Sequence, residues 1–403
     1  MSIRNITLNS GHTIPQLGFG TYKITGEDTQ RTVEHALSIG YRHIDTAQMY
    51  GNEAEVGAAI AASPVPREEL FVTTKLDNGN HAPDRARESF AESLTKLGLD
   101  YVDLFLIHWP LPNLYGTGYL AAWKTMEEFV EDGRARSIGV SNFECDHLQL
   151  LIDESGTVPA VNQIELHPLF QNREVAQFCR DNGIAVEAWA PLVRGAIADN
   201  PVVAGIASAR GCTPAQAILA WHFAKGHIVF PKSVTPARIA ENFASADVAL
   251  TPANVEAIDS LCVDVPEAAR ALARAFWPGG LTLILRARPD LGWDLGETGG
   301  TIGVRMPNQS ALLRLLHDFG PMAVTSANLT GQPPATSVEQ AVGYFGTRVS
   351  AYLDGGPTQG STASSIVDFA HDAPRALRLG TISLDDLSAA AGVPIAPVEG
   401  AAS

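Results

Sequence analysis

Eight short apolar segments alternate with longer segments of helical periodicity up to about residue 260, and this alternation restricts the possible folds more than any other feature. It is typical of parallel strands that are joined by helices. The segments predicted to be strands are LGFGTY, YRHID, LFVTTK, VDLFLIHW, RSIGVSN, VNQIEL, IAVEAWA and HIVFPKS. Eight such units in about 250 residues predict a (β/α)8 TIM barrel, an α/β fold whose active site lies at the carboxyl ends of the strands.

A doubly wound open sheet is the alternative architecture. That fold usually carries a GxGxxG motif after its first strand, and the sequence has no such motif there. The residues before the first barrel strand, ITLNSGHTIPQLG, are expected to form a hairpin that turns at Ser10-Gly11 and covers the floor of the barrel.

Length and charge place further limits on the protein. Its 403 residues exceed the size of about 250–300 residues at which single cores stop growing, so two domains are expected. The 44 acidic and 28 basic residues give a formal charge of -16, which argues against nucleic acid as a partner. No apolar segment approaches the ~20 residues of a membrane helix, so we expect a cytoplasmic protein with no membrane partner. The four cysteines form no CxxC pair, and no metal site is expected.

Four polar residues are predicted to meet where barrel strands end. Asp45, Lys75 and His108 each follow an apolar strand segment, and Tyr50 lies on the loop after Asp45. Taken singly, each has an ordinary structural explanation, namely a core histidine, a carboxylate that caps a helix, or a solvated lysine. Four such side chains at one rim of a barrel indicate a catalytic site.

These residue types suit the reduction of a carbonyl group, in which hydride reaches the carbon while the oxygen gains negative charge and takes up a proton. Tyr50 would be the acid, because a neighbouring ammonium group lowers the pKa of a phenol from its usual value of about 10. Lys75 would be that ammonium group and Asp45 its orienting counter-ion. His108 would donate a hydrogen bond to the substrate oxygen.

Seven motifs in order carry a resemblance to a known family: GFGTYKI, YRHIDTAQMYGNEAEVG, TTKL, LIHWP, GVSNF, NQIELHP and PKSVTPARIAENF. Together they resemble the aldo-keto reductases over residues 3–261, most closely the bacterial branch that includes 2,5-diketogluconate reductases. The resemblance implies that Asp45, Tyr50, Lys75 and His108 form the catalytic tetrad. It also implies that Ser141, Asn142 and Gln163 bind the carboxamide of a nicotinamide cofactor, and that Trp189 stacks on its ring. The other cofactor positions implied by the resemblance are Gly20, Thr21, Pro191, Leu192, Val234, Glu241 and Asn242, of which the last two match adenine contacts.

The choice between NADPH and NADH rests on the segment PKSVTPARIAEN. Lys232 and Arg238 flank a strand-to-helix turn, where backbone N–H groups already favour an anion. Two cations with Ser233 between them suit a phosphate better than a hydroxyl group. The alternative is that they are solvated residues at a helix start. The sequence therefore predicts NADPH as the cofactor.

The substrate pocket is predicted from three residues near its mouth. Tyr22, Gln48 and Trp109 should line it, and aromatic walls favour a small carbonyl compound over a charged sugar. Tyr22 replaces the tryptophan that is common at this position in the family, so the shape of the pocket should differ. The barrel itself is expected to be monomeric.

The segment IDSLCVDVPEAARALARAFW marks a boundary, because no lysine occurs from Val263 onward although arginines continue. We expect domains at residues 1–262 and 263–403. The second has predicted strands LTLILR, TIGVRMP, MAVTSAN, VSAYLDGG, SSIVDF and RALRLG, and predicted helices that begin at Pro266, Ser310, Ser337 and Leu384.

Several motifs of the second domain, AFWPGGLTLIL, TIGVRMPN, PMAVTSANLTGQPP, YLDGGPTQGSTASSIVD and PRALRLG, resemble the carboxyl-terminal half of threonylcarbamoyl-AMP synthases over about residues 266–385. The resemblance implies a nucleotide and phosphate site at Arg305, Ser326, Asn328, Ser364 and Arg378. The family's other half is absent, so we expect an incomplete twisted sheet that exposes strand edges and promotes self-association. The alternative functions are a synthase acting on ATP, threonine and bicarbonate, or a nucleotide-binding module without chemistry.

Overall fold

The computed structural model describes all residues except 1–2, 196, 261–264, 288–297, 320–321, 323, 325–326, 330–331, 359–362, 372 and 398–403. The chain divides into two compact units, Met1–Cys262 and Val263–Ser403. None of the helices in the described part of the chain is long and apolar enough to cross a membrane.

The first unit is built around eight parallel strands that follow a two-stranded hairpin. The hairpin strands are β1 (Asn5–Thr7) and β2 (Thr13–Pro15). The parallel strands are β3 (Phe19–Gly20), β4 (His43–Asp45), β5 (Phe71–Leu76), β6 (Leu104–Ile107), β7 (Ile138–Ser141), β8 (Val161–Glu165), β9 (Ala185–Trp189) and β10 (Ile228–Val229). Each strand pairs with its neighbour in chain order. A parallel bridge between Leu17 and Val229 joins the last strand to the first. The predicted (β/α)8 barrel is therefore confirmed, and the open sheet is not formed.

Helices connect successive strands and cover the outside of the barrel. They are α1 (Glu27–Ile39), α2 (Glu53–Ala62), α3 (Pro83–Leu97), α4 (Pro112–Tyr115), α5 (Gly118–Glu131), α6 (Cys145–Ser155), α7 (Arg173–Asp181), α8 (Pro201–Arg210), α9 (Pro214–Ala224), α10 (Pro236–Ala244) and α11 (Pro252–Asp259). Helix α3 shows why these segments are helical. Pro83 occupies its first turn, Phe90 and Leu94 lie on its buried face, and Gly98 ends it in a left-handed conformation. The apolar spacing that predicted this helix is thus the face that packs on the barrel.

The hairpin closes the amino-terminal end of the barrel, as the sequence predicts. Its strands pair antiparallel, with Ile6 opposite Ile14. Leu8 and Ile14 pack with the first residues of barrel strands, among them Phe71 and Leu104. Because the hairpin fills this end with apolar side chains, polar groups inside the barrel can meet solvent only toward the carboxyl ends of the strands.

The second unit contains a four-stranded sheet with its own core. Its strands are β11 (Leu281–Arg286), β12 (Thr301–Val304), β13 (Ser365–Asp368) and β14 (Arg375–Arg378), in the spatial order β12-β11-β13-β14. Its helices are α12 (Glu267–Phe276), α13 (Ser310–Phe319), α14 (Val338–Phe345) and α15 (Leu384–Ala391). Leu272 of α12 and Leu387 of α15 pack on Leu281 and Leu283. These elements agree with four of the predicted strands and with all four predicted helices.

Two predicted strands of this unit have a different outcome. VSAYLDGG is not a strand, and the prediction was wrong. Leu353 in this segment is 88% exposed, so within the described part of the chain no sheet face buries its side chain. Three of the seven residues of the segment MAVTSAN, at positions 323, 325 and 326, lie outside the described part of the chain, and the other four are not in a strand.

The contact between α2 and α3 yields a stability prediction. A methyl group at Gly57 of α2 would lie 2.4 Å from the carbonyl oxygen of Leu97, whereas one at Gly205 of α8 would meet open space. We expect Gly57→Ala to lower the free energy of unfolding by about 1–3 kcal/mol through overpacking. The control Gly205→Ala should raise it by about 0.5–1 kcal/mol, because alanine favours a helix over glycine. Urea unfolding followed by circular dichroism measures both, and equal effects would contradict the close contact.

Candidate active site

An ion pair inside the barrel forms the centre of the site. Lys75 of β5 and Asp45 at the end of β4 are both buried. The ammonium group of Lys75 donates to the two carboxylate oxygens of Asp45 at 2.8 and 2.9 Å and to the backbone carbonyl of Thr46 at 2.8 Å. Burial disfavours the charged ammonium, yet Asp45 and Tyr50 together raise the pKa of Lys75 above its usual value. Lys75 is therefore a charged, fully engaged cation in a dry interior.

Tyr50 lies beside this cation on a short 3-10 turn that follows β4. Its hydroxyl oxygen is 3.3 Å from the ammonium nitrogen of Lys75. The turn is held by Asn52, whose side chain donates to the backbone carbonyl of Thr21 at 3.0 Å and accepts from the hydroxyl of Thr46 at 2.9 Å. The sequence therefore placed Tyr50 next to Lys75 correctly without revealing how Asn52 holds the loop.

The pKa of Tyr50 shifts in the direction opposite to the expectation. Burial raises the pKa of its phenol to about 12, and this effect outweighs the lowering caused by Lys75. The sequence predicts only the effect of the ammonium group, because the burial of a loop residue depends on contacts that the sequence does not show. Tyr50 is therefore a protonated phenol at neutral pH and has a proton to donate.

His108 completes the group at the end of β6. Its ring centroid lies 5.8 Å from that of Tyr50. Burial, with a further contribution from Lys75, lowers the pKa of His108 to about 3, so its imidazole is neutral at physiological pH. Among the described residues, none forms a hydrogen bond with its Nδ1 atom. The structure thus brings Asp45, Tyr50, Lys75 and His108 together, as the sequence predicts.

The residues predicted to hold a carboxamide lie on the next strands around the barrel. The Ser141 hydroxyl donates to the backbone carbonyl of Gln163 at 2.8 Å. Asn142 adopts a left-handed conformation with φ of 61° and donates to the backbone carbonyl of His108 at 3.0 Å. The indole of Trp189 donates to the side-chain oxygen of Asn142 at 2.9 Å. These contacts join the predicted carboxamide-binding residues into one hydrogen-bonded group next to His108.

A buried carboxyl group next to Gln163 was not predicted from the sequence. Glu187 of β9 is fully buried and accepts a hydrogen bond from the side-chain amide of Gln163 at 2.7 Å. Burial and the negative charge of Asp45 raise the pKa of Glu187 to about 8. A signal was present, because this glutamate interrupts the otherwise apolar strand segment IAVEAWA.

The predicted phosphate site lies at the turn between β10 and α10. Lys232 and Arg238 are exposed, and in the described part of the chain neither forms an ion pair. The Ser233 hydroxyl accepts a hydrogen bond from the backbone N–H of Thr235 at 3.1 Å, which shapes the turn. Two cations without protein counter-ions at the start of a helix fit a phosphate group.

The other predicted cofactor residues lie at or after the ends of β3, β9 and β10 and on helix α10. The backbone N–H and the hydroxyl of Thr21 both lie 3.0 Å from the carbonyl oxygen of Asp45. Gly20 is needed for close packing, since a methyl group there would lie 2.6 Å from the carbonyl oxygen of Phe230. The backbone carbonyl oxygen of Pro191 lies 3.4 Å from the ring of His222, and Glu241 accepts a hydrogen bond from the Thr213 hydroxyl at 2.6 Å. Leu192 is half-buried, Val234 is exposed and Asn242 is buried.

Two of the three predicted substrate residues present aromatic surface to solvent. Tyr22 is 43% exposed and Trp109 is 38% exposed. The ring of Tyr22 lies 5.0 Å from that of Tyr50. Gln48 is different, because its amide nitrogen donates to the Ser93 hydroxyl at 3.0 Å and its oxygen accepts from the backbone N–H of Asp77 at 2.8 Å. Its side chain anchors the loop, and its role toward substrate stays a prediction.

In the second unit, three predicted site residues lie at the same end of the sheet. Arg378 donates to the backbone carbonyl of Ser364 at 2.8 Å and to its hydroxyl at 3.0 Å. Arg305 follows β12 and donates to the backbone carbonyl of Gly279 at 2.9 Å. Asn328 donates to the backbone carbonyl of Gln332 at 2.8 Å, and Ser326 lies outside the described residues. The nucleotide role of these residues stays a prediction.

Comparison with known proteins defines the class of protein. Residues 16–262 match the family model of the Aldo/keto reductase family. Residues 243–380 match the Sua5/YciO/YrdC family model, which is described as telomere recombination. The chain therefore belongs to the Aldo/keto reductase family and is an oxidoreductase, and both resemblances stated from the sequence are confirmed.

Individual relatives match the barrel unit over most of their length. An aldo-keto reductase of Mycolicibacterium smegmatis is 50% identical over 256 residues, which cover 64% of this chain and 92% of that protein. Methylglyoxal reductase DkgA of Escherichia coli K12 is 48% identical over 240 residues, which cover 59% of this chain and 86% of that protein. A Gox0644 mutant whose crystal structure was solved in complex with NADPH is 38% identical to this chain, with a TM-score of 0.63. The match covers 66% of this chain and 95% of the Gox0644 chain.

The buried ion pair yields a second prediction. Lys75→Met leaves the buried carboxylate of Asp45 without its counter-ion, and we expect this to lower the free energy of unfolding by about 3–5 kcal/mol. The double variant Lys75→Met with Asp45→Asn removes both charges and should recover more than half of that loss. Urea unfolding of the variants measures the difference. If the double variant is no more stable than Lys75→Met, the pair is not the interaction that stabilises the barrel interior.

Proposed function

We propose that the barrel unit, residues 1–262, reduces small aldehydes and ketones to alcohols with NADPH as the hydride donor. The observation that supports this most directly is the phenol of Tyr50 at 3.3 Å from a charged lysine that is itself held by Asp45. This arrangement can release a proton and stabilise the phenolate that remains. All residues assigned to this chemistry lie in the first unit.

A nicotinamide cofactor, when bound, would supply the hydride for the carbonyl carbon. The chain's own residues then act on the carbonyl oxygen. Neutral His108 carries one ring proton and donates a hydrogen bond to that oxygen, which orients the substrate and stabilises the charge that develops. Tyr50 transfers its hydroxyl proton to the oxygen, and Lys75 stabilises the phenolate. Asp45 keeps Lys75 in place and charged.

The surroundings of the site support a small substrate with an apolar end. Tyr22 and Trp109 present aromatic surface beside the tetrad. Aromatic surfaces bind small apolar groups well and offer no charge to a sugar acid. The relative named methylglyoxal reductase supports a small aldehyde or ketone as the substrate class.

NADPH is the proposed form of the cofactor. Lys232 lies in the turn before α10 and Arg238 lies in the first turn of that helix, where an additional phosphate can accept a charge-assisted hydrogen bond from a guanidinium group. The solved relative in complex with NADPH supports the same choice. For the first unit we propose no activity other than this NADPH-dependent reduction.

Synthase activity of the second unit is not part of the proposal. From residue 263 onward the chain contains no lysine that could neutralise the phosphates of ATP. The arginines Arg305 and Arg378 donate to backbone carbonyls of their own unit. We propose that residues 263–403 form a separate domain that adds nothing to the reductase chemistry.

The role of Tyr50 as the acid is tested by Tyr50→Phe. We expect kcat for methylglyoxal or a simple aldehyde to fall by about 10²–10⁴-fold, since the proton donor is lost, while the Kd for NADPH stays within about twofold. In the wild-type protein the raised pKa of about 12 keeps Tyr50 protonated, so its protonation does not limit reduction at neutral pH and is lost only as pH rises toward that value. NADPH oxidation followed by absorbance measures the rate. Tyr101→Phe is the control, because Tyr101 precedes β6 at the opposite end from His108 and should change nothing.

The choice of cofactor is tested at Arg238. Arg238→Leu removes a charge-assisted hydrogen bond to phosphate, so the Kd for NADPH should rise about 10- to 100-fold while that for NADH changes less than about threefold. Arg85→Leu is a matched control, because Arg85 occupies the same third position of a helix that begins with proline. Titration calorimetry gives both constants. Equal weakening of NADPH and NADH binding by Arg238→Leu would contradict a phosphate site.

A further inference from the structure

The side-chain amide of Gln163 bridges two carboxyl groups inside the barrel. Its nitrogen donates to Asp45 at 2.9 Å and to Glu187 at 2.7 Å. A primary amide has two N–H groups, so both are used. Among the described residues, none donates a hydrogen bond to the side-chain oxygen of Gln163. The amide is thus oriented with its acceptor atom available.

Strand register explains why Glu187 is in this place. Strands β8 and β9 are parallel neighbours, and Gln163 pairs with Glu187 across them. Partners in register project from the same face of a sheet, so both side chains point into the barrel. Asp45 reaches the same amide from β4 on the other side of the interior. Two distant strands therefore hold one side chain from opposite directions.

A buried carboxyl group is costly unless it is hydrogen-bonded or paired with a charge. Glu187 has 0% exposure. One of its oxygens accepts from Gln163, and the other lies 3.8 Å from the ring of His43 and, in the described part of the chain, forms no hydrogen bond. Asp45 and Lys75 are the further charged groups that act on it. Among the described residues, the contact with Gln163 is therefore the one hydrogen bond of this carboxyl group.

We propose that Glu187 is a positioning residue that, together with Asp45, fixes the amide of Gln163 so that its oxygen faces the cofactor and accepts a hydrogen bond from the nicotinamide carboxamide N–H2. This inference rests on the proposed function. Without Glu187 one N–H of Gln163 has no partner, and rotation of the amide becomes possible. The carboxamide N–H2 would then face the side-chain oxygen of Gln163 in some molecules and its side-chain nitrogen in others.

The charge state of Glu187 supports this role. Burial and Asp45 raise its pKa to about 8, so at neutral pH it is mainly a neutral acid whose carbonyl oxygen accepts from Gln163. A glutamine at position 187 also offers a carbonyl oxygen of the same reach. Glu187→Gln should therefore keep the orientation of Gln163, whereas Glu187→Met removes the acceptor at similar volume.

The first experiment compares cofactor fragments on the full chain. Titration calorimetry measures the Kd of NADPH and that of 2′,5′-ADP, which lacks the nicotinamide. We expect Glu187→Met to weaken NADPH binding about tenfold while 2′,5′-ADP binding stays within about twofold. Glu187→Gln should restore NADPH affinity to within about threefold of wild type. Equal weakening of both ligands by Glu187→Met, or a Glu187→Gln variant as weak as Glu187→Met, overturns the proposal.

Glu53→Met is the matched control for the loss of a buried carboxyl group. Glu53 is buried and accepts hydrogen bonds from the hydroxyl groups of Thr74 at 2.6 Å and Ser93 at 3.3 Å, away from Gln163. Its removal should lower stability without changing the ratio of the two affinities. A ratio that shifts in Glu53→Met as it does in Glu187→Met would assign the effect to general loosening and overturn the proposal.

The second experiment needs no variant and tests the orientation of the Gln163 amide itself, so it can overturn the proposal even if Glu187→Met fails to fold. The 3-acetylpyridine analogue of NADP+ carries a methyl group in place of the carboxamide N–H2. If Gln163 presents its oxygen, the wild-type protein should bind the analogue about tenfold more weakly than NADP+. Equal affinity overturns the proposal. Failure of the wild type to bind NADPH at all would instead reject the proposed function.

Discussion

The ion pair of Lys75 with Asp45 is the interaction around which the barrel interior is arranged. An ammonium group out of contact with water must be paired and hydrogen-bonded, or it loses its proton. Here the partners of Lys75 come from β4 and from the loop that follows it. The side chain of Lys75 therefore stabilises both the register of β4 with β5 and the path of that loop. The position of Tyr50 follows from the same contacts.

Burial gives the other groups around this pair a neutral state. It raises the pKa of Tyr50 to about 12 and that of Glu187 to about 8, and it lowers the pKa of His108 to about 3. One charged pair therefore lies among neutral donors and acceptors. Of these groups, the protonated phenol of Tyr50 and the neutral imidazole of His108 can each donate a hydrogen bond.

The second unit has a smaller core and an open edge. Strand β12 pairs only with β11 among the described strands, and Leu353 projects into solvent in a segment that was predicted to be a strand. A sheet with an unpaired edge and exposed apolar residues fits the expectation of half a domain.

The sequence by itself determined the eight strands, the helices between them and the strand-end positions of Asp45, Lys75 and His108. It could do so because apolar periodicity is local and parallel strands bring their carboxyl ends to one rim. Only the tertiary structure decided that Glu187 holds Gln163, that Gln48 anchors its own loop and that burial keeps Tyr50 protonated. Those facts depend on contacts between residues far apart in the chain, such as Gln163 and Asp45 at a separation of 118 positions. Burial at such contacts is a property of the assembled barrel, and no local pattern of residues encodes it.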